Sequence, residues 1–365
     1  MKFGGTSVGS AQRMKGVASL INDGEDKIVV LSAMSGTTNS LVEICGYLAN
    51  NNPEGANEVI NKLENLYKKH INELYDTEDF KQQTATLVKD VFNYLRSFTK
   101  QLFTSIEERI ILAQGEIIST NMVTNYLKEQ GISAHLIAAL DYMRTDKNGE
   151  PDAAYIKEKI TDVLAHSPKA QIYITQGFIC RNINGEIDNL QRGGSDYTAS
   201  LIGCAINAEE VEIWTDIDGM HNNDPRFVEG TEPVSELHFE EAAELAYFGA
   251  KILHPTCVLP AKLNNIPVRL LNTMQPDAPG TLIYNTPASC QIKAVAAKDN
   301  ITAIKIKSGR MLLAYGFLRK VFEIFETYQT PIDMIATSEV GVSVTIDDVR
   351  NLTPILDDLK KFGTV

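Results

Sequence analysis

Short runs of β-branched and aliphatic residues alternate with helical patterns along most of this chain, and this alternation limits the folds it can adopt. The run KIVVLSA at 27–33 has the composition of a buried strand, and the small polar segment after it leads into a helix. Further strand candidates lie at 134–138, 171–175, 212–215 and 268–271. Helical patterns at 196–206 and 236–248 separate some of them. The alternation predicts an α/β fold with a largely parallel sheet and helices on both faces.

A long helical segment interrupts this alternation over about 53–130, where Gly and Pro are rare. Ser105 and Glu108 have the S-x-x-E spacing of a capping box, which predicts that the helix carrying Glu116 begins there. The Asn184-Gly185 pair, between two short extended runs, predicts a β-hairpin. We therefore expect a mixed sheet with a helical insert.

The last part of the chain changes its pattern after Asn285. From Ile301 the order is strand, helix, strand, strand and helix. The elements after the first strand are expected at 316–328, 333–336, 342–346 and 352–362. This β-α-β-β-α order is that of a split-βαβ domain without its final strand. We therefore expect a second, smaller domain that is incomplete at its C-terminal edge.

The composition excludes several classes of protein. The 365 residues include 34 Lys and Arg against 47 Asp and Glu, which gives a net charge of −13 and a pI near 5.0. Nucleic acids and anionic membranes are bound by clustered Lys and Arg, so neither partner is expected. No apolar stretch approaches the roughly 20 residues that a spanning helix needs. The five cysteines include no CxxC pair, which disfavours a disulfide framework or a zinc site and predicts a reduced, cytoplasmic protein.

Three small-residue loops are candidates for binding phosphate: KFGGTS at 2–7, SAMSGTTN at 32–39 and RGGSD at 192–196. Adjacent glycines let backbone N–H groups approach an anion, and a helix N-terminus behind them favours negative charge. One Gly-Gly pair is more often a tight turn, but Lys2 and Arg192 add a cation to two of these loops. Since neither GxxxxGK[ST] nor GxGxxG occurs, a P-loop kinase and a Rossmann dehydrogenase are both disfavoured.

Two further groups of residues could carry chemistry. WTDIDG at 214–219 and DPR at 224–226 combine carboxylates with a basic residue after a strand, although a solvated Asx turn has the same pattern. Lys251 lies just past a helical segment, where it could equally satisfy the helix dipole. Three histidines lack the spacing of metal ligands and are more typical of packing or surface positions: His221, His238 and His254. The sequence therefore predicts no dedicated metal site.

Six motifs follow the order found in aspartate kinases of the amino acid kinase fold, and the chain resembles that family. They are KFGGTS at 2–7, Gly115-Glu116, RGGSDYTA at 192–199, WTDIDG at 214–219, DPR at 224–226 and FGAKILHP at 248–255. The segment 316–347 resembles the first ACT regulatory domain of the monofunctional, lysine-sensitive branch. The resemblance implies a three-layer sandwich over residues 1–290 and an ACT domain at 299–365, without a second ACT repeat. It also implies transfer of the ATP γ-phosphoryl group to the side-chain carboxylate of L-aspartate, the first step of lysine, threonine and methionine biosynthesis.

The resemblance also implies roles for single residues. Lys2 would offset charge on the transferring phosphoryl group, and Asp196 would organise Lys2. The residues implied for aspartate are Thr38, Glu116, Arg192, Gly193, Gly194 and Ser195. The residues implied for ATP are Lys2, Phe3, Gly4, Gly5, Thr215, Asp216, His221, Asp224, Arg226, Lys251 and Ile252. Mg²⁺ would arrive with ATP, and His221 stands where many relatives carry Tyr.

Regulation is implied as well, with an L-lysine effector and a homodimer formed through ACT domains. The residues implied for the effector are Met311, Asp333, Thr337, Ser338 and Glu339. Ala314 replaces a serine that lysine-sensitive relatives often carry. Two alternatives stay open: a related amino acid kinase that acts on glutamate or a nucleotide, and a catalytically silent amino-acid sensor. Glu116 together with RGGSDYTA disfavours the first, and the retention of Lys2, Arg192, Asp196 and Lys251 disfavours the second.

Overall fold

The computed structural model describes residues 1–190, 194–249, 253–286, 292–307 and 315–365. They form two compact units, Met1–Ala296 and Ala297–Val365. Each unit has a hydrophobic core of its own.

The first unit is built on an eight-stranded sheet and a separate two-stranded hairpin. Its described strands are β1 (Lys2–Phe3), β2 (Lys27–Leu31), β3 (Ala134–Leu136), β4 (Ile172–Gln176), β5 (Ile179–Arg181), β6 (Ile187–Asn189), β7 (Val211–Thr215), β8 (Glu236–His238), β9 (Val268–Asn272) and β10 (Thr281–Tyr284). The strands β5 and β6 form the antiparallel hairpin that the Asn184-Gly185 pair predicted.

The large sheet has the strand order β3-β4-β2-β1-β7-β9-β10-β8. Every pair from β3 to β9 is parallel, whereas β10 runs antiparallel to β9. The prediction of a mixed, largely parallel sheet is therefore confirmed. The central strand β1 has β2 on one side and β7 on the other. The strands up to β4 are therefore added on one side of β1, and the strands from β7 onward on the other. Ligands of open α/β sheets bind outside the carboxyl ends of the strands at such a point.

Helices cover both faces of this sheet. They are α1 (Ala11–Ile21), α2 (Thr37–Ala49), α3 (Pro53–Leu74), α4 (Glu78–Ser97), α5 (Ser105–Glu129), α6 (Ala153–His166), α7 (Gly194–Ile206), α8 (Phe239–Tyr247) and α9 (Pro255–Asn264). The helices α3, α4 and α5 occupy the segment in which the sequence predicted a helical insert. In the described part of the chain, no helix combines the length and the apolar composition that crossing a membrane requires.

The capping box at the start of α5 lies one residue earlier than predicted. Thr104 is the N-cap, with extended backbone at φ −132° and ψ 179°, and its side chain accepts a hydrogen bond from the Ile106 N–H. The Thr104 N–H in turn donates a hydrogen bond to the Glu107 carboxylate at 2.8 Å. The prediction of Ser105 and Glu108 was wrong because Ser105 is already the first helical residue.

Alternation along the strands divides the interior of the first unit into two cores, one on each face of the sheet. In β2, Val29 and Leu31 enter the core lined by α1, α2 and α3, while Val30 enters the core lined by α6, α7 and α9. In β1, Phe3 joins the first core and stacks on Trp214 at 5.6 Å. Because successive side chains point to opposite faces, Lys2 points to the face that carries α7.

The second unit is a three-stranded antiparallel sheet with two helices on one face. Its described elements are β11 (Thr302–Lys307), α10 (Phe317–Thr327), β12 (Met334–Ser338), β13 (Gly341–Ile346) and α11 (Leu352–Lys360). The strand order is β11-β13-β12. Thr364 exchanges two backbone hydrogen bonds with Lys307, at 2.7 and 2.8 Å, on the open side of β11. The β-α-β-β-α order is the one predicted from the sequence.

Candidate active site

The loops that follow β1 and β2 lie against each other at the carboxyl edge of the sheet. The Ser32 N–H donates to the Phe3 carbonyl at 3.2 Å, and the Ser35 N–H donates to the Gly5 carbonyl at 3.1 Å. A Cβ on Gly5 would lie 2.8 Å from the Ala33 carbonyl oxygen. Only glycine permits this approach, so the second Gly of KFGGTS brings the two loops together.

Lys2 and Asp196 form an ion pair at the same edge. The Lys2 Nζ lies 2.6 Å from the Asp196 Oδ1, and their side chains are 10% and 17% exposed. Asp196 lies in the first turn of α7, where the helix dipole favours a carboxylate. The Lys2 ammonium is therefore held in place at the end of β1 with little water around it.

Ser195 connects this pair to the loop after β2. The Ser32 hydroxyl donates to the Ser195 Oγ at 2.9 Å. On the other side of Ser195, a Cβ on Gly177 would lie 2.3 Å from its Cβ, so the loop after β4 also touches the start of α7. Lys2 of β1 and the loops after β2 and β4 thus converge on the first turn of α7.

Phe178 is a member of this site that sequence reasoning missed. Its backbone has φ +69°, a left-handed conformation that is uncommon for a bulky side chain. Thr198 stabilises it by accepting the Phe178 N–H at 3.0 Å while donating to the Gly194 carbonyl at 3.2 Å. Strained backbone of this kind clusters at functional sites. The TQGF sequence at 175–178 carries no signal of it, since φ depends on the contact with α7.

Glu116 on α5 is buried, and among the described residues only one of its two carboxylate oxygens has a hydrogen-bond partner. Its residue surface is 5% exposed, and its Oε1 accepts the Ala33 N–H at 3.2 Å. Its Oε2 is buried without a hydrogen-bond partner among the described residues. Burial raises the pKa of Glu116 from 4.5 to about 7. A cation placed at Oε2 would lower this pKa again, so the carboxylate is suited to bind an ammonium group.

The predicted Thr38 and its neighbour Thr37 lie in different surroundings. Thr38 is exposed in the first turn of α2, while Thr37 is buried and hydrogen-bonds to Tyr67 at 2.8 Å. The pairing with Tyr67 links residues 30 positions apart, which no local motif signals. Thr38 is therefore accessible to a ligand.

Thr215 and Asp216 lie where β7 ends, next to the loop after β1. The Thr215 Oγ1 accepts the Ile217 N–H at 3.1 Å, and the Thr215 carbonyl accepts the Thr273 N–H at 2.8 Å. Asp216 is exposed. The Gly4 N–H donates to the Trp214 carbonyl at 3.3 Å, which joins this corner to KFGGTS.

His221 is held by both of its ring nitrogens. Its Nε2 lies 2.7 Å from the Asp218 Oδ1 and its Nδ1 lies 3.0 Å from the Thr231 Oγ1. The side chain is 11% exposed. A ring fixed in this way packs in the loop that follows β7, and its predicted contact with ATP stays a prediction.

The DPR motif forms a closed turn. The Asp224 carboxylate accepts the backbone N–H of Arg226 at 2.9 Å and contacts its guanidinium at 2.5, 3.0 and 3.1 Å. The Arg226 side chain is 60% exposed and lies over the Phe227 ring. The guanidinium would share or leave Asp224 in order to contact a phosphate.

Several residues named from the sequence lie outside the described residues. They are Arg192, Gly193, Lys251, Ile252 and Met311. Gly194, which is described, begins α7 with φ +45°. Within the described ranges, no group of three or more His, Cys, Asp and Glu side chains could hold a metal ion.

The model of the amino acid kinase family matches residues 1–272. Aspartokinase 1, chloroplastic, of Arabidopsis thaliana is 35% identical over 387 residues, which cover 100% of this chain and 68% of that protein. The chain belongs to the amino acid kinase family, among the aspartokinases. Lysine-sensitive aspartokinase 3 of Escherichia coli K12 is 34% identical to this kinase over 95% of the chain and 77% of that protein.

Solved structures agree with this assignment. E. coli aspartokinase III in complex with aspartate and ADP, in the R-state, matches with a TM-score of 0.85 at 33% identity, over 99% of this chain and 83% of that one. Clostridium acetobutylicum aspartate kinase matches with a TM-score of 0.82 at 27% identity, over 99% of this chain and 81% of that one. The predicted fold class and the prediction of a kinase are confirmed.

Proposed function

We propose that this kinase transfers the γ-phosphoryl group of ATP to the side-chain carboxylate of L-aspartate, which gives 4-phospho-L-aspartate and ADP. The single observation that carries the proposal is the buried Glu116, whose Oε2 has no described partner. It shares the carboxyl edge of the sheet with the Lys2–Asp196 pair. A carboxylate that awaits an ammonium group, near a cation that suits a phosphoryl group, fits an amino acid acceptor.

The transfer needs no general base at the acceptor. The aspartate side chain has a reference pKa of about 4 and is already ionised at pH 7. Its oxygen forms the new P–O bond while the bond from the γ-phosphorus to the β–γ bridging oxygen breaks, and ADP leaves with that electron pair. The obstacle is repulsion between anions. Lys2 would reduce it by its charge, Asp196 would hold Lys2 in position, and the Mg²⁺ of Mg·ATP would supply further positive charge.

Recognition of aspartate would use both ends of the amino acid. Glu116 would bind the α-ammonium group, and Arg192 would bind the α-carboxylate as a bidentate cation. Ser195, the backbone at Gly193 and Gly194, and Thr38 would contact the remaining oxygens. Support comes from Ser195, which lies at the N-terminus of α7, where backbone N–H groups favour an anion.

The nucleotide would lie on the side of β1 that faces β7. Its proposed contacts are Lys2, Phe3, Gly4, Gly5, Thr215, Asp216, His221, Asp224, Arg226, Lys251 and Ile252. The link between Gly4 and Trp214 supports this side, because it joins the KFGGTS loop to the end of β7. His221 would act through the loop it stabilises rather than by stacking, since Asp218 and Thr231 already hold its ring.

Trapping of the acyl phosphate tests the proposal. Aspartate, glutamate and carbamate are incubated in parallel with Mg·ATP and hydroxylamine, and the hydroxamate and ADP are quantified. Hydroxamate from aspartate alone is the expected result. Turnover of glutamate but not aspartate would instead support the related amino acid kinase. Binding of an amino acid without any ADP release would support the silent sensor.

We further propose feedback inhibition by L-lysine through the second unit, and a place at the start of lysine, threonine and methionine biosynthesis. The name of the E. coli relative and a structure of E. coli aspartokinase III with lysine and aspartate, in the T-state, support this proposal. In this chain Asp333 lies just before β12, 3.4 Å from the Lys298 Nζ, which also lies 2.7 Å from Asp347. This pair of carboxylates around the Lys298 ammonium supports the proposal, because an effector with an ammonium group could take part in the same contacts.

Three further effector candidates lie at the other end of β12, whereas Met311 lies outside the described residues. Thr337, Ser338 and Glu339 are exposed there.

Asp333→Asn is expected to raise the lysine concentration for half-inhibition at least about tenfold, since one charged contact is worth about 1.4 kcal/mol or more. Asp357→Asn, which changes an exposed carboxylate on α11, is the control. Equal inhibition of both variants would contradict the proposed effector site at Asp333.

We also propose the homodimer that the family resemblance implies, and sedimentation with and without lysine tests it.

A further inference from the structure

Helix α3 of the helical insert reaches the loop after β2 through Tyr67. Tyr67 on α3 is 0% exposed, and its hydroxyl lies 2.8 Å from the Oγ1 of Thr37, which is 1% exposed. Thr37 begins α2 and ends the loop after β2, hereafter the acceptor loop (residues 32–37). The contact therefore joins the insert to the same loop that donates a hydrogen bond to Glu116.

The acceptor loop is confined on its opposite side by α5. A Cβ on Gly115 would lie 2.7 Å from the Ala33 Cβ and 3.2 Å from the Thr37 Cγ2. Glu116, the next residue, accepts the Ala33 N–H. The loop thus lies between α5 and α3 with no room to shift toward α5, and its polar tie to α3 is the pair formed by Thr37 and Tyr67.

Tyr67 also lies within electrostatic range of Glu116. Burial raises the pKa of Tyr67 well above its ordinary value, and the negative charge of Glu116 raises it further. The tyrosine is therefore a neutral hydroxyl at any physiological pH. It can donate or accept in its bond to Thr37 without a charge of its own near the acceptor.

An ordinary core role is the alternative for such a pair. Tyr142 and Thr175 form a similar buried contact at 2.6 Å elsewhere in the first unit. Tyr67 differs from Tyr142 because its partner belongs to the acceptor loop. Thr37 is followed directly by Thr38, and Ala33 at the other end of the loop orients Glu116.

We propose that Tyr67, acting through Thr37, is a positioning residue for the amino acid acceptor. It holds the acceptor loop so that the Ala33 N–H orients Glu116 while Thr38 faces the ligand. Helix α3 then contributes to the recognition of the acceptor, together with α5, which carries Glu116. This inference rests on the proposed aspartate kinase activity.

The proposal predicts an effect on one substrate only. Lys2 and Asp196 are held by contacts that do not involve Tyr67. Tyr67→Phe is therefore expected to raise the KM for aspartate about tenfold, which corresponds to about 1.4 kcal/mol of lost acceptor positioning. The KM for ATP and kcat at saturating aspartate are expected to stay within about twofold, since uniform acceptor binding is what is lost.

Tyr75→Phe is the matched control. Tyr75 lies at the end of the same helix α3, is 2% exposed, and its hydroxyl donates to the Met122 carbonyl at 2.7 Å. Both variants lose one buried hydrogen bond from the insert, so both are expected to lower the melting temperature by similar amounts. Only Tyr67→Phe is expected to change the KM for aspartate. Equal KM values for the two variants would overturn the proposal.

Substitutions at Thr37 test the pair from its other side. Thr37→Val is expected to raise the KM for aspartate as Tyr67→Phe does, and the double variant is expected to be no worse than either single one. Thr37→Ser keeps the hydroxyl and is expected to restore the wild-type KM. Additive losses in the double variant would contradict a shared role. These variants also give the readout if Tyr67→Phe does not fold.

The two hypotheses fail in different ways. If the wild-type protein does not phosphorylate aspartate, the proposed function is wrong. If the wild type does so, and neither Tyr67→Phe nor Thr37→Val changes the KM for aspartate, the inference about Tyr67 is wrong while the function stands.

Discussion

At the scale of single residues, the site is a small number of charged groups held away from water. Lys2 is matched by Asp196, whereas Glu116 keeps one oxygen without a described partner. Asp196 holds the Lys2 ammonium group in a fixed position. The second oxygen of Glu116 is left for a cationic group of a ligand to bind. A protein with a net negative charge can bind the proposed anionic substrates in this way, because the fixed Lys2 ammonium supplies positive charge where the phosphoryl group would lie.

Replacement of Lys2 should remove activity without unfolding the protein. Lys2→Ala is expected to lower kcat about 10²- to 10³-fold, since the charge acts chiefly on the transition state. Lys27→Ala is the control, because Lys27, at the start of β2, is buried to a similar extent and forms an ion pair with Asp23. The measurement is steady-state ADP release, with far-UV circular dichroism to check folding. A near-normal kcat for Lys2→Ala would show that the role assigned to Lys2 is wrong.

The pH dependence of aspartate binding should report Glu116. Its folded pKa is about 7, so the carboxylate becomes protonated below that pH and loses its attraction for the ammonium group. Below pH 7, kcat/KM for aspartate is expected to fall about tenfold per pH unit. Glu116→Gln is expected to have a low kcat/KM that no longer follows this titration. A flat wild-type profile between pH 5.5 and about 8 would contradict the assignment.

The same group should make stability fall as pH rises. The pKa of Glu116 is about 7 in the folded chain, against an ordinary 4.5, so the folded state holds this proton more tightly than the unfolded state does. The stability due to the neutral form is complete below pH 4.5 and is lost as pH rises through about 7, by roughly 3 kcal/mol. Glu116→Gln should therefore gain stability relative to wild type above pH 7, in urea denaturation without aspartate.

At the scale of elements, glycines and helix starts bring the loops together. Gly5 lets the loops after β1 and β2 approach each other at backbone distance, and Gly177 lets the loop after β4 touch Ser195 in the first turn of α7. Patterns in the sequence indicated the loops after β1 and β2, because both contain small residues, but they did not indicate the loop after β4. The conformation of Phe178 and the pairing of Tyr67 with Thr37 could not be predicted, since both depend on contacts between elements distant in sequence.

The N-cap of α5 gives a test at this scale. Thr104→Ala is expected to lower the free energy of unfolding by about 1 kcal/mol, because it removes the side chain that caps α5. Ser105→Ala should be neutral within about 0.5 kcal/mol, since Ser105 is an exposed helical residue. Urea denaturation of the two variants separates them. A larger loss of stability in Ser105→Ala than in Thr104→Ala would indicate that Ser105 is the N-cap, as the S-x-x-E spacing first predicted.

At the scale of the whole molecule, the chain consists of two units with separate cores. The first places the candidate active site at the point where strand order reverses around β1. The second packs Ile304, Ile306 and the inward residues of β13 against α10 and α11. Because the cores do not share residues, a defect in one should leave the packing of the other intact.

A cavity in the second core tests this independence. Ile306→Ala is expected to cost about 2–5 kcal/mol in the second unit, since Ile306 is 0% exposed there. The kcat without lysine should stay near the wild-type value, whereas inhibition by lysine should weaken. Ile174→Ala, an equally buried change in the first unit, should instead lower the stability of the catalytic unit. Calorimetry and activity on the same samples check both. Loss of kcat in Ile306→Ala would contradict independence.

The sequence alone indicated many of the elements, among them β2, β4, β7 and β9, because hydrophobic periodicity and turn residues act over a few positions. It missed β8, where a helix was expected from residue 236, and it did not indicate β10. It also indicated KFGGTS, Glu116 and Asp196, whose motifs are local. Tertiary structure decided which of these residues meet. The ion pair of Lys2 with Asp196 spans the chain from β1 to α7, and the half-satisfied Glu116 owes its raised pKa to burial beside the acceptor loop. Distance and burial are properties of packing, so no local pattern could predict them.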